Sequence, residues 1–309
     1  MKRKEKYKKI RWKWMVPFYI MMIPGLVYFL INNYMPMAGI VMAFKKIDYS
    51  KGIFGSDWNG LANFEFLFAS GQFGTMVRNT ILYNGVFIIF NTVLGITVAI
   101  LLNEIRAKIA NRIYQTVILL PYLMSWVVVS YLAFAFLSNE TGFINNGILE
   151  KLGLTQINFY QEPKYWPWIL LFVNEWKNIG FSMIIYLAAI VGISKDYYEA
   201  ASVDGATRWQ QITRITLPCL KPTIITMFIL SVSKMFYSDF GLFFQVPKNS
   251  GILYPTTMTI DTYVYNALMK QNNPGMSAAA GFLQAIVGFV LVIGANALIR
   301  KISREDAIF

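Results

Sequence analysis

The chain has 309 residues, 56% hydrophobic and only 14% charged, against the roughly 25% charged that a water-facing domain carries; a large soluble fold is excluded. A formal net charge of +12 invites nucleic acid as a partner, but the basic residues fall in blocks between apolar runs, so no nucleic acid is expected. With no histidine and one cysteine, Cys219, neither a disulfide framework nor a protein-ligated metal or haem site is expected.

The basic run Lys2 to Lys13 leads into a charge-free stretch, Trp14 to Phe44. It is about twice the length of a signal-peptide core and no small-residue cleavage site follows, so it is read as an uncleaved first span. Asn79 to Asn103, Ile113 to Asn139 and Gln271 to Ile299 are also charge-free, and each exceeds the roughly 20 residues that cross hydrocarbon. Trp166 to Gly192 and Thr223 to Gln245 have the length but contain charges, as spans with a functional interior do. The expected fold is an all-α integral membrane protein with six transmembrane helices.

Eighteen of the 28 Lys and Arg residues lie in four places: the N-terminal run, the second-to-third connection (Arg106, Lys108, Arg112), the fourth-to-fifth connection (Lys195, Arg208, Arg214, Lys221) and the end (Arg300, Lys301, Arg304). Basic connections stay inside, so both termini are placed in the cytoplasm, and a multi-pass protein of the cytoplasmic membrane, in contact with lipid, is expected. Outside, Met35 to Thr75 is expected to fold as a small cap, because Phe64, Phe66 and Phe68 are too dense for a solvated linker. Ser138 to Tyr165 and Val246 to Pro274 are the other external loops, and Trp58, Trp166, Trp168, Tyr254 and Tyr263 are candidates for the outer aromatic belt. The chain divides into residues 1–75 (tail, first helix and cap), 76–300 (a core of five helices) and 301–309 (a cytoplasmic tail).

The fourth-to-fifth connection, residues 194–222, contains two helix starts. Asp196 with Glu199, and Thr207 with Gln210, have the three-residue spacing of a capping box. Gly205 supplies a tight turn between them. Leu217-Pro218 is expected to close the second helix, since the residue before a proline is pushed out of helical geometry. A rigid helix-turn-helix on the membrane surface is more than a tether requires, so a bound partner is expected.

Charges inside spans are confined to Glu175, Lys177, Lys234 and Asp239, on the two helices that this loop joins. At 1.5 Å per residue, Lys177 and Lys234 both fall about 16 Å below the outer boundary. Residues two apart do not share a helix face, so Glu175 and Lys177 are not one pair; Glu175 with Lys234, or Lys177 with Asp239, are the pairings to expect. Either these pairs only brace the helices, or some of them line a watery path with Asn174, Trp176, Asn178, Tyr237 and Ser238. Aromatic faces beside amides and hydroxyls suit a sugar.

Glu199-Ala200-Ala201, Gly205, Ile215, Leu217 and Pro218 resemble, at matching spacing, the EAA loop of binding-protein-dependent ABC permeases. Ile212 departs from that pattern, where many relatives have Phe. The resemblance implies that Glu199, Ala200, Ala201, Asp204, Gly205, Ile215, Leu217 and Pro218 form the element that docks on an ATPase. Glu199 would make the polar contact, the alanines would permit close approach, and Gly205 would form the turn. Tyr34 to Gly39, Ala43 to Lys45, Gly55 to Leu61, Asn63-Phe64, Asn79-Thr80, Pro121-Tyr122 and Asp261 to Tyr265 resemble the LplB-type branch of carbohydrate ABC permeases of Gram-positive bacteria. That branch implies a type I ABC importer permease fold carrying an oligosaccharide or complex glycan. Its implied partners are a second homologous permease subunit, two ATPase subunits that bind ATP and Mg, and an extracellular substrate-binding lipoprotein.

The chain has no Gly-x-x-x-x-Gly-Lys-Ser/Thr phosphate loop, so hydrolysis is assigned to another polypeptide, and this chain is given no catalytic residue and no cofactor. Two other readings compete. One is a permease for peptides or other small polar solutes; the other is a membrane-embedded enzyme such as a glycosyl transferase, which would need paired carboxylates or a metal site near one interface.

Overall fold

The structure, a computed structural model, describes residues 12–302; the basic run from Lys2 to Arg11 and the tail beyond Ile302 lie outside the described residues. Apolar composition makes long helices wherever the backbone has no water to bond to. Four described helices are long and apolar enough to cross a membrane: α1 (Met15–Phe44), α3 (Phe73–Glu104), α8 (Arg208–Ser233) and α11, the apolar part of which is Pro274–Ala297. The count rises to six if each of two bent pairs is one span. These are α4 (Lys108–Leu123) with α5 (Trp126–Leu137), bent by 98°, and a segment containing α6 (Trp166–Val191) with α7 (Lys195–Val203), bent by 68°.

The segment expected as an external cap is folded. A two-stranded antiparallel ribbon, β1 (Lys45–Lys46) against β2 (Asp57–Trp58), is followed by α2 (Ala62–Ala69). Phe44 and Phe64 pack edge-on against Phe282 of α11, while Phe66 and Phe68 stay exposed.

Three expectations are corrected. Ile113 to Asn139 is not one helix: α4 stops at Leu123 and Ser125 caps a new helix. Thr223 to Gln245 is not one helix either, because α8 ends at Ser233 and α9 (Phe240–Gln245) begins only after Asp239. Leu217-Pro218 does not close a helix. A π turn over Ile212–Thr216 widens the backbone just before Pro218, and the helix runs on from Arg208 to Ser233. A wider turn relieves the clash between the proline ring and the preceding carbonyls.

Val246 to Pro274, expected as the third external loop, is also largely interior. Leu253, Met258, Thr259, Ile260, Tyr263 and Ala267 are buried, and α10 (Ile260–Met269) forms a hairpin with α11 in which Ser277 donates to the Val264 carbonyl at 2.9 Å. Trp166 and Tyr263 are therefore core residues and not members of an interfacial belt. The core's main axis is the pairing of α3 with α6. It includes a cluster of Tyr83, Phe87, Val129, Trp166, Leu170 and Phe243 in the outer half, and one of Ala99, Leu102, Met183, Tyr186 and Leu220 in the inner half.

Candidate functional site: two helix breaks at mid-depth

The break in α4–α5 and the break in α8–α9 lie at one level. Asn84 is eleven residues into α3, Lys177 eleven into α6 and Gln284 ten into α11, so each sits about 16 Å from the outer end of its helix. All three reach the breaks. A distance of about 16 Å is about half the thickness of a hydrocarbon layer of about 30 Å, and in such a layer a free backbone group has no water to turn to.

At the first break the orphan carbonyls of α4 are taken by an ammonium. Lys177 Nζ donates to Tyr122 O at 2.8 Å, Met124 O at 2.7 Å and Pro121 O at 3.4 Å. The same ammonium lies over the rings of Tyr122 and Trp126. A cation at a helix C-terminus also meets the negative end of the helix dipole. Lys177, 6% exposed, is thus the cap of a broken helix.

At the second break, residues 234–239 are held by amides. Asn84 Nδ2 donates to the carbonyls of Met235 (2.9 Å) and Tyr237 (3.0 Å), and Gln284 Nε2 donates to Phe236 O at 2.9 Å. Ser238 donates through its backbone N–H and its hydroxyl to Asp261 Oδ2, both at 2.7 Å, and Gln284 donates to the same carboxylate. Asp239 caps α9 by accepting from Leu242 N–H at 3.3 Å.

The two breaks are tied to each other. Trp126 Nε1, on the first residue of α5, donates to Asp239 Oδ2 at 2.9 Å. The expected ion pairs, Glu175 with Lys234 and Lys177 with Asp239, are not present among the described residues. The indole instead stands between Lys177 and Asp239, and Glu175 points elsewhere. Its Oε1 accepts from Asn174 at 3.1 Å, Asn178 donates to Asn174 in turn, and Oε2 has no hydrogen-bond partner. Asn91 of α3, which Ser182 bonds, approaches the same buried carboxyl. Trp176 faces outward from α6 into an apolar groove with Phe172 and Trp168. Of the nine residues that the sequence grouped on one path, Lys234, Tyr237, Ser238 and Asp239 lie at the second break and Lys177 at the first. Asn174, Glu175 and Asn178 form a separate buried cluster.

The hairpin expected on the cytoplasmic side is built by α7, a turn and the start of α8. Ser194, not Asp196, caps α7, accepting from the Asp196 N–H at 3.3 Å; Thr207 and Gln210 do form a capping box. Between them Gly205, at φ +77, ends α7 with paired bonds, Gly205 N–H to Ser202 O and Ala206 N–H to Ala201 O, which is the Schellman arrangement. Gln211 donates to Ser202 Oγ at 2.9 Å, the hydroxyls of Tyr198 and Thr216 meet at 2.9 Å, and Arg208 lies 3.9 Å from Glu104 at the inner end of α3. Glu199, Ala200, Asp204 and Pro218 are exposed, whereas Ala201, Ile215 and Leu217 are half-buried. Val203, 88% exposed, and Trp209, 72% exposed, leave large apolar side chains uncovered, as docking surfaces do. Tyr198, Ser202, Gln211 and Thr216 were not singled out in the sequence; their signal is only their helical spacing, and their pairing is tertiary.

Residues 91–304 match the family described as binding-protein-dependent transport system inner membrane component. The chain is 34% identical to Protein LplB of Bacillus subtilis (strain 168) over 95% of its own length and 90% of the relative's. It is 36% identical to the polygalacturonan/rhamnogalacturonan transport system permease protein YteP of the same organism, over 93% and 88%. Among solved structures it resembles a bacterial ABC transporter that imports the acidic polysaccharide alginate. The TM-score is 0.86 at 36% identity, covering 94% of this chain and 97% of that one. The same alginate transporter in complex with a periplasmic protein holding an alginate pentasaccharide gives a TM-score of 0.84 over 94% and 96%.

Proposed function

Because the chain belongs to the family of binding-protein-dependent transport system inner membrane components, we propose that it is the membrane-spanning permease subunit of an ATP-driven importer of an oligosaccharide or complex glycan. The observation that carries this reading is the unbroken helix α8. It runs as one helix from Arg208 in the hairpin, through the π turn at Ile212–Thr216 and past Pro218 and Pro222, to Ser233 on the edge of the second break, so a push on the hairpin reaches the path along a single element. The named cargoes of the relatives, polygalacturonan or rhamnogalacturonan and alginate, support a carbohydrate.

In this account six spans place both termini in the cytoplasm of a Gram-positive cell, in keeping with the relatives from Bacillus subtilis. Two ATPase subunits bind ATP and Mg and receive the face carrying Glu199, Val203 and Trp209; this chain itself is not catalytic. A second homologous permease completes the path and covers α1, whose apolar length is unburied within this chain. An extracellular lipoprotein delivers the cargo, as a periplasmic protein is bound in the alginate complex. Closure of the ATPases displaces the hairpin, and α8 carries that displacement to residues 234–239. The effector biases an equilibrium between inward- and outward-open states in proportion to its differential affinity for them.

The test is to purify the complex through this chain, identify what accompanies it, and measure ATP-dependent oligosaccharide uptake in proteoliposomes with the cognate receptor. An ATPase, a second permease and sugar uptake are expected. Absence of an ATPase refutes the reading, and uptake of peptides in place of sugars would favour the small-polar-solute alternative.

A further inference from the structure

We infer that the solute crossing this path is an acidic oligosaccharide and that Lys234 is the residue that meets its carboxylates; this narrows the carbohydrate reading above and rests on it. Among the described residues five acidic or basic side chains lie at or near the level of the two breaks: Lys177, Asp239 and Asp261 are engaged within the chain, Glu175 is enclosed, and Lys234 stands open. Lys177 is enclosed by three carbonyls and two rings. Asp261 receives Ser238 and Gln284, and Asp239 receives the Trp126 indole and the first turn of α9. Glu175 is buried beside Asn174, out of reach of a passing solute.

Lys234 is different. It follows the last residue of α8 at φ −102, exposed, and its side chain makes no hydrogen bond or ion pair within the described residues. A charged head group among membrane helices faces a water-filled cavity or another protein group and not hydrocarbon; in this proposal the exposed side of Lys234 is the side that lines the path. The break thus offers the path an ammonium whose neighbouring acids are already occupied. Tyr237, three residues on, is also exposed and adds an aromatic face. A uronic acid matches both groups, with a carboxylate for the ammonium and an apolar C–H face for the ring.

The test uses the whole complex with its receptor in proteoliposomes. The probes are oligogalacturonate and oligomannuronate against their carboxyl-reduced, neutral counterparts of equal length, each at a concentration that saturates the receptor. Wild type is expected to import at least one oligouronate faster than its neutral counterpart. Lys234→Gln is expected to lower the oligouronate rate about tenfold, equivalent to 1.4 kcal/mol, to spare basal ATPase activity and subunit co-purification, and to leave neutral uptake unchanged; Lys234→Arg restores the acidic rate. Equal loss of acidic and neutral uptake overturns the inference while the carbohydrate reading stands. Loss of the second permease on purification also overturns it, assigning Lys234 to a contact between subunits. Import of neither kind of sugar removes the carbohydrate reading itself.

Discussion

Gly180→Ala isolates how closely α4 and α6 must approach for the first break to exist. A Cβ at Gly180 would stand 2.4 Å from the Ile118 carbonyl oxygen and 2.8 Å from Leu119 Cα, where ordinary contact begins at 3.4 Å. Both obstacles are backbone, so no rotamer change relieves them, and in a close-packed interior α4 must retreat by about 1 Å. The carbonyls that Lys177 holds at 2.7 and 2.8 Å would then lie beyond hydrogen-bond range. Overpacking costs about 1–3 kcal/mol. The two lost bonds, at the roughly 0.6–2 kcal/mol each found for polar contacts in membranes, bring the total to about 2–7 kcal/mol. The control is Gly294→Ala in α11, where a Cβ meets nothing within 4 Å and helix propensity predicts a gain of about 0.5–1 kcal/mol. Thermal unfolding of the purified complex should rank Gly180→Ala well below wild type and Gly294→Ala at or above it. Equal melting of the two variants would refute the tight α4–α6 contact and, with it, the capping role of Lys177.

Asn84→Leu removes the donor that holds the carbonyls of Met235 and Tyr237. It should destabilise residues 234–239 by about 1–3 kcal/mol and lower uptake without dissociating the subunits; unchanged uptake would contradict a path role for that break. Gly205→Val forces a β-branched residue to φ +77, a cost on the order of 1–2 kcal/mol. Faster hydrogen exchange is expected across residues 195–216 but not in α3, and uniform exchange would show that the turn is not the hairpin's weak point.

Hydropathy located the helices well, because runs such as Asn79 to Asn103 satisfy every backbone group internally and need nothing from the rest of the chain. It failed at the interruptions. Leu123 to Trp126 is as apolar as its surroundings, and the groups that make a break tolerable there, Lys177 and the Asp239 carboxylate, lie some 50 and 110 residues away. Asn84 and Gln284 were hidden in the same way: each is a lone amide in an apolar run, and its meaning depends on the carbonyl opposite. Charge was a good guide to which helices matter and a poor guide to pairing, since Lys177 chose carbonyls over Asp239. At the hairpin, local rules held for Thr207, Gln210 and Gly205 but placed the first cap two residues late, at Asp196 in place of Ser194. They failed at Pro218, where a π turn one step upstream changes what a proline does.

The most direct measurement is ATP-dependent oligosaccharide uptake by the reconstituted complex carrying Glu199→Ala, read beside its basal ATPase activity. Coupling through the hairpin predicts that basal hydrolysis and assembly persist while uptake and receptor-stimulated hydrolysis fall about tenfold or more, a loss of at least 1.4 kcal/mol of coupling. Uptake and stimulated hydrolysis at wild-type levels would contradict it.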